Sequence, residues 1–402
     1  MTKDKIYFFS AFFGLLAGNM FNYAIVIFSH SLSEDKSFAS TVFFIAYLPF
    51  LLFSFRAGFV LDKYSRKLIL FLSQLVTASC GFFPGLLTYL GYLDSSNKEI
   101  LYLFAFINGI AMTFIMPGRF AVLGELVTHD KIAKNTVILN FIILFGFALS
   151  PVISGIIRDQ FSYATLLMVT GSIYFFSAMI LSIIPIPHEK VHNHPHRKEA
   201  FMESFNFVKK EKLVNQALLA MFFGMFIVGV IQVLLPDFAK EILKLNEKER
   251  GTLMGMLGLG LLLGSLFSLS IAKLIGRGKC ILLSISLSGI LMIVIATITN
   301  PILSMSVLFI AGLFLGTVTS FVPSIIQAAT PNNLRGRVMS YFSLVFLLTP
   351  AISGLGYGFL ADKIGLVNVF IISGIVAISM GLLGWIILTD LKIADKKLNL
   401  PS

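Results

Sequence analysis

Twelve long apolar runs constrain the fold of this chain more than any other feature. Each run holds roughly 20 residues, the length that an α-helix needs to cross a hydrocarbon layer about 30 Å thick. The runs are residues 6–28, 41–60, 68–89, 100–122, 136–157, 164–184, 214–235, 252–271, 281–298, 302–325, 338–359 and 367–388. They are apolar on every face, whereas the strands of a membrane barrel are about 10 residues long and alternate in polarity. The pattern predicts an all-α polytopic membrane protein with 12 transmembrane helices.

Composition and charge agree with this prediction. Hydrophobic residues make up 57% of the chain and charged residues 13%, against about 45–50% and about 25% in soluble domains. When the N-terminus is placed in the cytoplasm, 23 of the 31 lysines and arginines fall on the cytoplasmic side. This bias predicts that both termini are cytoplasmic. Basic residues beside anionic headgroups also account for the net charge of +11 without a nucleic-acid partner.

The chain divides into two halves that resemble each other. Residues 150–155 read SPVISG and residues 349–354 read TPAISG, so the same P-x-x-S-G pattern recurs at the same place in the fifth and eleventh runs. Repeats of this kind are typical of transporter folds, in which substrate binds where the repeats meet. We predict an N-terminal six-helix bundle over residues 1–185, a cytoplasmic linker over 186–212 and a C-terminal six-helix bundle over 213–402.

The linker contains four of the six histidines, His188, His192, His194 and His196. A metal-binding or pH-sensing role is one interpretation. We favour a solvated linker, because no cysteine or carboxylate array completes a metal site. We therefore expect no metal and no cofactor.

The loop after the second run carries a recognisable motif. Residues 58–67 read GFVLDKYSRK, which resembles the G-x-L-A-D-R-x-G-R-R signature of the major facilitator superfamily, in the loop where that family carries it. The resemblance implies a twelve-helix major facilitator fold and a cytoplasmic gate at this loop. Leu61 and Ser65 depart from the signature. The counterpart in the second half, residues 273–279 (KLIGRGK), has lysine where the first half has Asp62.

Two further segments resemble those of one branch of this superfamily. Residues 117–127 (PGRFAVLGELV) and 334–339 (LRGRVM) are similar to segments of the macrolide-efflux and enterobactin-exporter branch, and the first is also similar to the bacterial lysophospholipid transporter. We predict that an ion-pair network at the ends of spans two to four closes the cytoplasmic gate. The network consists of Asp62, Arg66, Arg119 and Glu125, and Gly58 completes the set of predicted gate residues. Anchoring at the headgroups is the alternative for Arg119.

Residues 146–155 (GFALSPVISG) resemble the antiporter motif G-x-x-x-G-P-x-x-G-G, with serine at two glycine positions. Small residues allow close helix contact and proline bends a helix. A generic packing face is the alternative interpretation. The motif residues are Gly146, Ser150, Pro151, Ser154 and Gly155.

None of the 20 acidic residues falls near the middle of a predicted span. A proton-coupled exporter commonly keeps a carboxylate in the membrane, where burial raises its pKa. In the resembling branch a glycine–aspartate pair is typical of span one, and here that stretch reads Gly18-Asn19. Asparagine does not ionise. Coupling through Glu125, coupling to another ion and no coupling remain open.

Uncharged polar residues inside the spans are the candidates for a substrate cavity, because a polar group in lipid is costly. Each one alone is equally well explained as a hydrogen bond between helices. A cavity lined by these residues and by phenylalanine suits a lipophilic or amphipathic solute. The candidates are Asn19, Asn22, Asn108, Thr113, Asn140 and Gln232.

We expect a monomeric secondary transporter in the bacterial inner (plasma) membrane. It exports a lipophilic or amphipathic small molecule by alternating access, with a proton or another ion as the coupling partner if transport is coupled. The alternative is a lysophospholipid flippase or an uncoupled facilitator. A non-transporting scaffold fits the repeat and gate motif poorly, and H-E-x-x-H, G-x-S-x-G and P-loop motifs do not occur, so we expect no enzyme activity.

Overall fold

The computed structural model describes residues 3–127, 131–185, 197–331 and 334–398, and all regular structure in these ranges is helical. Twelve segments in this part of the chain are long and apolar enough to cross a membrane. The predicted all-α fold with twelve spans is thereby confirmed. Exposed aliphatic side chains such as Ile183, Ile302 and Ile386, each more than 70% exposed, suit a surface in contact with lipid.

The first six spans are one helix each. They are α1 (Lys3–Leu32), α2 (Lys36–Lys63), α3 (Arg66–Tyr89), α4 (Ile100–Leu126), α5 (Ile132–Gln160) and α6 (Tyr163–Ile183). Local chemistry explains several of their starts. Ser65 and Ser162 precede α3 and α6, and each hydroxyl accepts a hydrogen bond from a backbone N–H in the first turn, as N-cap serines do.

The rest of the chain adds six more spans and three shorter helices. The helices are α7 (Arg197–Lys210), α8 (Lys212–Phe226), α9 (Val228–Glu241), α10 (Glu247–Ile275), α11 (Arg277–Thr297), α12 (Pro301–Ala329), α13 (Arg335–Ile364), α14 (Leu366–Ile387), α15 (Thr389–Lys392) and α16 (Ala394–Lys397). The seventh span is interrupted at Ile227, so α8 and α9 form it together. Asn300 caps α12, and Pro301 occupies its first position, where a missing N–H has no cost.

The chain forms two compact units. The first is Met1–His192 with Ala239–Gly255, and the second is Asn193–Phe238 with Met256–Ser402. The core of the first unit includes Tyr7, Leu70 and Ile115. The core of the second unit includes Met221 and Phe321. The domain boundaries at 185 and 213 remain a prediction, and His188, His192, His194 and His196 lie outside the described residues.

Each unit repeats one close helix crossing. In the first unit, a Cβ added to Gly81 of α3 would lie 2.9 Å from the Cα of Gly171 on α6. In the second unit, a Cβ added to Gly289 of α11 would lie 2.7 Å from the carbonyl oxygen of Gly374 on α14. These are the third and sixth spans of each half. Glycine at both positions lets the backbones touch, as is usual for helix pairs in membranes.

Candidate functional site

One ion pair joins two of the predicted gate residues. Arg66 begins α3, Glu125 lies in the last turn of α4, and their Nη1 and Oε1 atoms are 3.2 Å apart. The Glu125 side chain is 9% exposed and that of Arg66 is 22% exposed. The pair links the ends of α3 and α4 at the predicted cytoplasmic side.

The gate roles of Asp62 and Gly58, which lie beside the same loop, stay predictions. Asp62 lies within α2, but its side chain is outside the described part of the structure. Gly58 is exposed, and a Cβ added there meets none of the described atoms within 4 Å. Among the described residues, Gly58 is therefore not in close contact with another helix. Ser65 has a clear local role, because it caps the N-terminus of α3.

Arg119 is not part of the Arg66–Glu125 ion pair. It is 1% exposed, and its Nε, Nη1 and Nη2 atoms donate no hydrogen bond to any described residue. A Cβ added to Gly14 would lie 2.0 Å from Nη2, so the guanidinium lies against the middle of the 30-residue helix α1. Side chains on a helix point toward its N-terminus, which directs Arg119 away from the nearby end of α4. Arg119 is therefore buried rather than anchored at an exposed surface, and its part in the gate stays a prediction.

The antiporter-like motif forms a packing face of α5. The hydroxyl of Ser150 lies 2.8 Å from the carbonyl oxygen of Leu16 on α1 and 2.6 Å from that of Gly146. A Cβ added to Gly146 would lie 3.6 Å from the backbone of Leu15 and Leu16. Ser154 is fully buried. The motif therefore holds α5 against α1 through small side chains and one hydroxyl group.

The end of the same motif contacts the start of α10, which belongs to the first unit. A Cβ added to Gly155 would lie 2.6 Å from the carbonyl oxygen of Glu247 and 3.0 Å from the Cα of Gly251. A Cβ added to Gly251 would in turn collide with the carbonyl oxygen of Pro151. The two helices thus touch through backbone atoms, as small residues permit.

Polar contacts surround this backbone contact. The Glu247 carboxylate lies 2.8 Å from Nη1 of Arg250 and accepts a hydrogen bond from the Tyr163 hydroxyl at 3.2 Å. Lys36, at the start of α2, pairs with Glu241. These contacts were not predicted from the sequence, because counting charges on each side of the membrane assigns no partners to them.

The two cavity candidates of span one lie at different contacts. Asn22 donates its amide to the Tyr47 hydroxyl on α2 at 3.3 Å. Asn19 donates to the carbonyl oxygen of Leu15 in its own helix at 3.0 Å. Both side chains are partly exposed. Asn22 therefore links two helices, while most of the hydrogen-bonding capacity of Asn19 remains for another partner.

The remaining four candidates differ in burial and in the unit to which they belong. Asn108 and Thr113 are buried in α4, and Thr113 donates to the carbonyl oxygen of Gly109, one turn back in its own helix. Asn140 of α5 is exposed, and Gln232 of α9 is partly buried in the second unit. No hydrogen bond joins any two of the six candidates within the described structure. Their role as a shared cavity lining remains a prediction.

A structural contact of the second unit involves Asp395, which the sequence analysis does not select. Asp395 of α16 accepts a hydrogen bond from the backbone N–H of Arg277 at 2.7 Å. Gly276, with φ of 87°, turns the chain into α11 just before this residue. A Cβ added to Gly278 would collide with the carbonyl oxygen of Leu391, so the C-terminal segment packs directly on this loop. Nothing in the loop sequence predicts that Asp395, 118 positions away, contacts Arg277.

Comparisons with known proteins agree with this geometry. The model of the Major Facilitator Superfamily matches residues 7–346 and 217–400. The staphyloferrin A transporter of Staphylococcus aureus is 24% identical over 414 aligned residues, which cover 99% of each chain. Macrolide efflux protein A of Streptococcus pyogenes is 21% identical, over 92% of this chain and 91% of that protein.

Solved structures share the fold. The nucleoside transporter NupG superposes with a TM-score of 0.77 over 96% of this chain and 98% of its own, at 14% identity. The family match, the relatives and the twelve apolar helices together describe a membrane protein that transports rather than catalyses. This chain belongs to the Major Facilitator Superfamily of transporters.

Proposed function

We propose that this chain works alone and exports a lipophilic or amphipathic small molecule across the bacterial inner membrane by alternating access. The observation that carries the proposal is the packing of α5 within the first unit. Its antiporter-like motif contacts α1 through Ser150 and the start of α10 through Gly155 and Gly251. Close backbone contact between α5 and the start of α10 supports a transporter that opens its two sides in turn.

The chemistry of span one supports an uncharged solute site. Asn19 and Asn22 present amide groups from partly exposed positions, and asparagine recognises a solute by hydrogen bonding without ionising. The similarity to macrolide efflux protein A supports outward transport. The similarity to the staphyloferrin A transporter adds staphyloferrin A to the solutes to be tested. We propose that Asn19 contacts the solute and that Asn22 positions span one through Tyr47.

The test is transport by the full-length purified chain in liposomes. A macrolide, a fluorescent lipophilic cation and staphyloferrin A are offered separately, and flux is compared with protein-free liposomes. We expect saturable flux of the macrolide or the cation that falls in Asn19→Leu. The matched control is Asn368→Leu, since Asn368 is an exposed asparagine whose amide also bonds within its own helix. Absence of saturable flux for every solute would overturn the proposal.

Coupling is tested in the same liposomes. We propose that coupling acts through Glu125, because its carboxylate pairs with Arg66 at 3.2 Å and uptake of a proton would break that ion pair. Export that rises with an imposed pH gradient in the wild type, and no longer responds in Glu125→Gln, would support this role. Flux that ignores the gradient in the wild type would assign the chain to uncoupled transport.

A lysophospholipid flippase is the second candidate function. Asn19 stands where the resembling exporters carry an aspartate, and a flippase driven by the lipid gradient needs no ionising group in span one. Gradient-independent movement of a labelled lysophospholipid, together with no flux of the macrolide and the cation, would favour this function over the exporter.

A further inference from the structure

The guanidinium group of Arg119 is buried in the first unit without a counter-charge. Arg119 is 1% exposed. Its Nε, Nη1 and Nη2 atoms have no hydrogen-bond acceptor, and no carboxylate pairs with them, among the residues that the structure describes. Arginine stays protonated in proteins, and an unpaired buried cation is costly. The group therefore requires an acceptor that the described chain does not supply.

A second unpartnered donor lies on the neighbouring helix. Gln74 of α3 is fully buried, and its Nε2 donates no hydrogen bond within the described residues. Its Oε1 lies 2.6 Å from the hydroxyl oxygen of Ser177 on α6. With the amide in this orientation, the oxygen faces the hydroxyl and the NH₂ group is left as a donor.

The same part of α1 brings these groups together. A Cβ added to Gly14 would lie 2.0 Å from Nη2 of Arg119 and 2.7 Å from the hydroxyl oxygen of Ser177. Glycine at this position thus makes room for the guanidinium beside Ser177, which in turn contacts Gln74. The Ser10 hydroxyl of α1 also donates a hydrogen bond to the carbonyl oxygen of Ser177 on α6 at 2.8 Å. Donors from α3 and α4 therefore converge at one point on α1.

We propose that Arg119 and Gln74 bind a small monovalent inorganic anion, with chloride as the physiological example. The unsatisfied atoms are all donors, and one of the two side chains carries a full positive charge. Water would satisfy donors but leave that charge uncompensated, whereas a halide does both. The site is closed to lipid headgroups and large anions, because Arg119, Gln74, Ser10 and Ser177 are buried and Gly14 lies near the middle of α1.

The bound anion acts as a structural link inside the first unit. It would join α3 and α4 beside α1 and α6, which are the helices that form the buried core of that unit. Anything that binds the folded state alone raises its stability with ligand concentration. The proposal therefore predicts a halide-dependent stability, and it stands independently of which solute is transported.

The experiment measures the thermal unfolding midpoint of the full-length protein in a non-ionic detergent. Sodium gluconate is replaced stepwise by sodium chloride or sodium bromide at constant ionic strength. We expect a saturable rise in the midpoint with both halides in the wild type. A midpoint that does not depend on the anion would overturn the proposal.

Variants then locate the effect. Arg119→Met keeps an apolar side chain of similar length and removes the charge, so the halide response should disappear. In gluconate this variant should unfold no lower than the wild type, because an unpaired buried cation has been removed. Arg337→Gln is the matched control, since Arg337 is a partly exposed arginine paired with Glu203. It should keep the full halide response.

A second variant keeps the proposal testable if Arg119→Met does not fold. Gln74→Leu removes the neutral donor and leaves Arg119 in place. We expect the halide concentration at half-maximal stabilisation to rise severalfold. A halide response that stays at the wild-type value in Gln74→Leu or in Arg119→Met would place the anion elsewhere and overturn the assignment.

Discussion

Asp395 accepts a hydrogen bond from the backbone N–H of Arg277 at 2.7 Å, although 118 positions separate the two residues. Its other carboxylate oxygen lies 3.6 Å from the Nε of Arg277. A carboxylate at a helix N-terminus stabilises the helix, because it faces unpaired N–H groups and the positive end of the dipole. The C-terminal segment thus brings an acid to the loop 273–279, which contains none of its own.

Replacing Asp395 with alanine should destabilise the protein by about 1 kcal/mol, the usual effect of losing a helix cap. Asp395→Asn should lose less, because the amide oxygen still accepts the bond. Unfolding is followed by the fluorescence of Trp385, the single tryptophan, whose carbonyl oxygen bonds to Lys392 beside this segment. Asp390→Asn, which removes the ion pair with the exposed Lys397, is the control and should change stability by less. Equal losses for Asp395→Ala and Asp390→Asn would argue against the capping role.

Gly155→Leu should abolish most transport, because its Cβ alone would lie 2.6 Å from the backbone of Glu247 and the larger side chain must separate α5 from the start of α10. Flux per reconstituted protein is the measurement. Gly124→Ala, where a Cβ meets none of the described atoms within 4 Å, should transport normally and gain up to about 1 kcal/mol of helix stability. Normal flux in a well-folded Gly155→Leu would show that this contact is dispensable.

Glu125→Gln and Arg66→Gln should each slow transport by about fivefold, the equivalent of about 1 kcal/mol for a partly exposed ion pair. Because both changes remove the same 3.2 Å contact, the double variant should be no slower than either single one. Glu203→Gln, which breaks the exposed ion pair with Arg337, should leave the rate unchanged. Additive losses in the double variant would mean that the two residues act separately.

Gly14→Ala should destabilise the first unit by about 1–3 kcal/mol, the typical cost of overpacking, because the new methyl group would meet Nη2 of Arg119 at 2.0 Å. In the Arg119→Met background the same change should cost clearly less, since the unbranched thioether adapts to the added volume. Thermal unfolding of the four proteins gives the coupling energy. A coupling near zero would place the Arg119 side chain away from α1.

The helical class and the number of spans could be predicted from the sequence alone. The length of each apolar run dictates a membrane-spanning helix, because a helix is the one open structure that satisfies its own backbone hydrogen bonds in lipid. The repeated P-x-x-S-G pattern and the loop at 58–67 pointed to the family, which the comparisons confirmed. The antiporter-like motif was also visible, although the partner helices of Ser150 and Gly155 were not.

The partners of the charged side chains could not be predicted from the sequence, because they depend on how the helices pack. Arg119 and Glu125 lie six positions apart at the same end of α4, yet Glu125 pairs with Arg66 and Arg119 turns inward against Gly14. Asp395 reaches Arg277 across 118 positions. Local sequence predicts which segments are apolar enough to enter the membrane. The direction of a long side chain, and the partner that it meets, depend on which helices pack beside it, and that packing is set by contacts between distant parts of the chain.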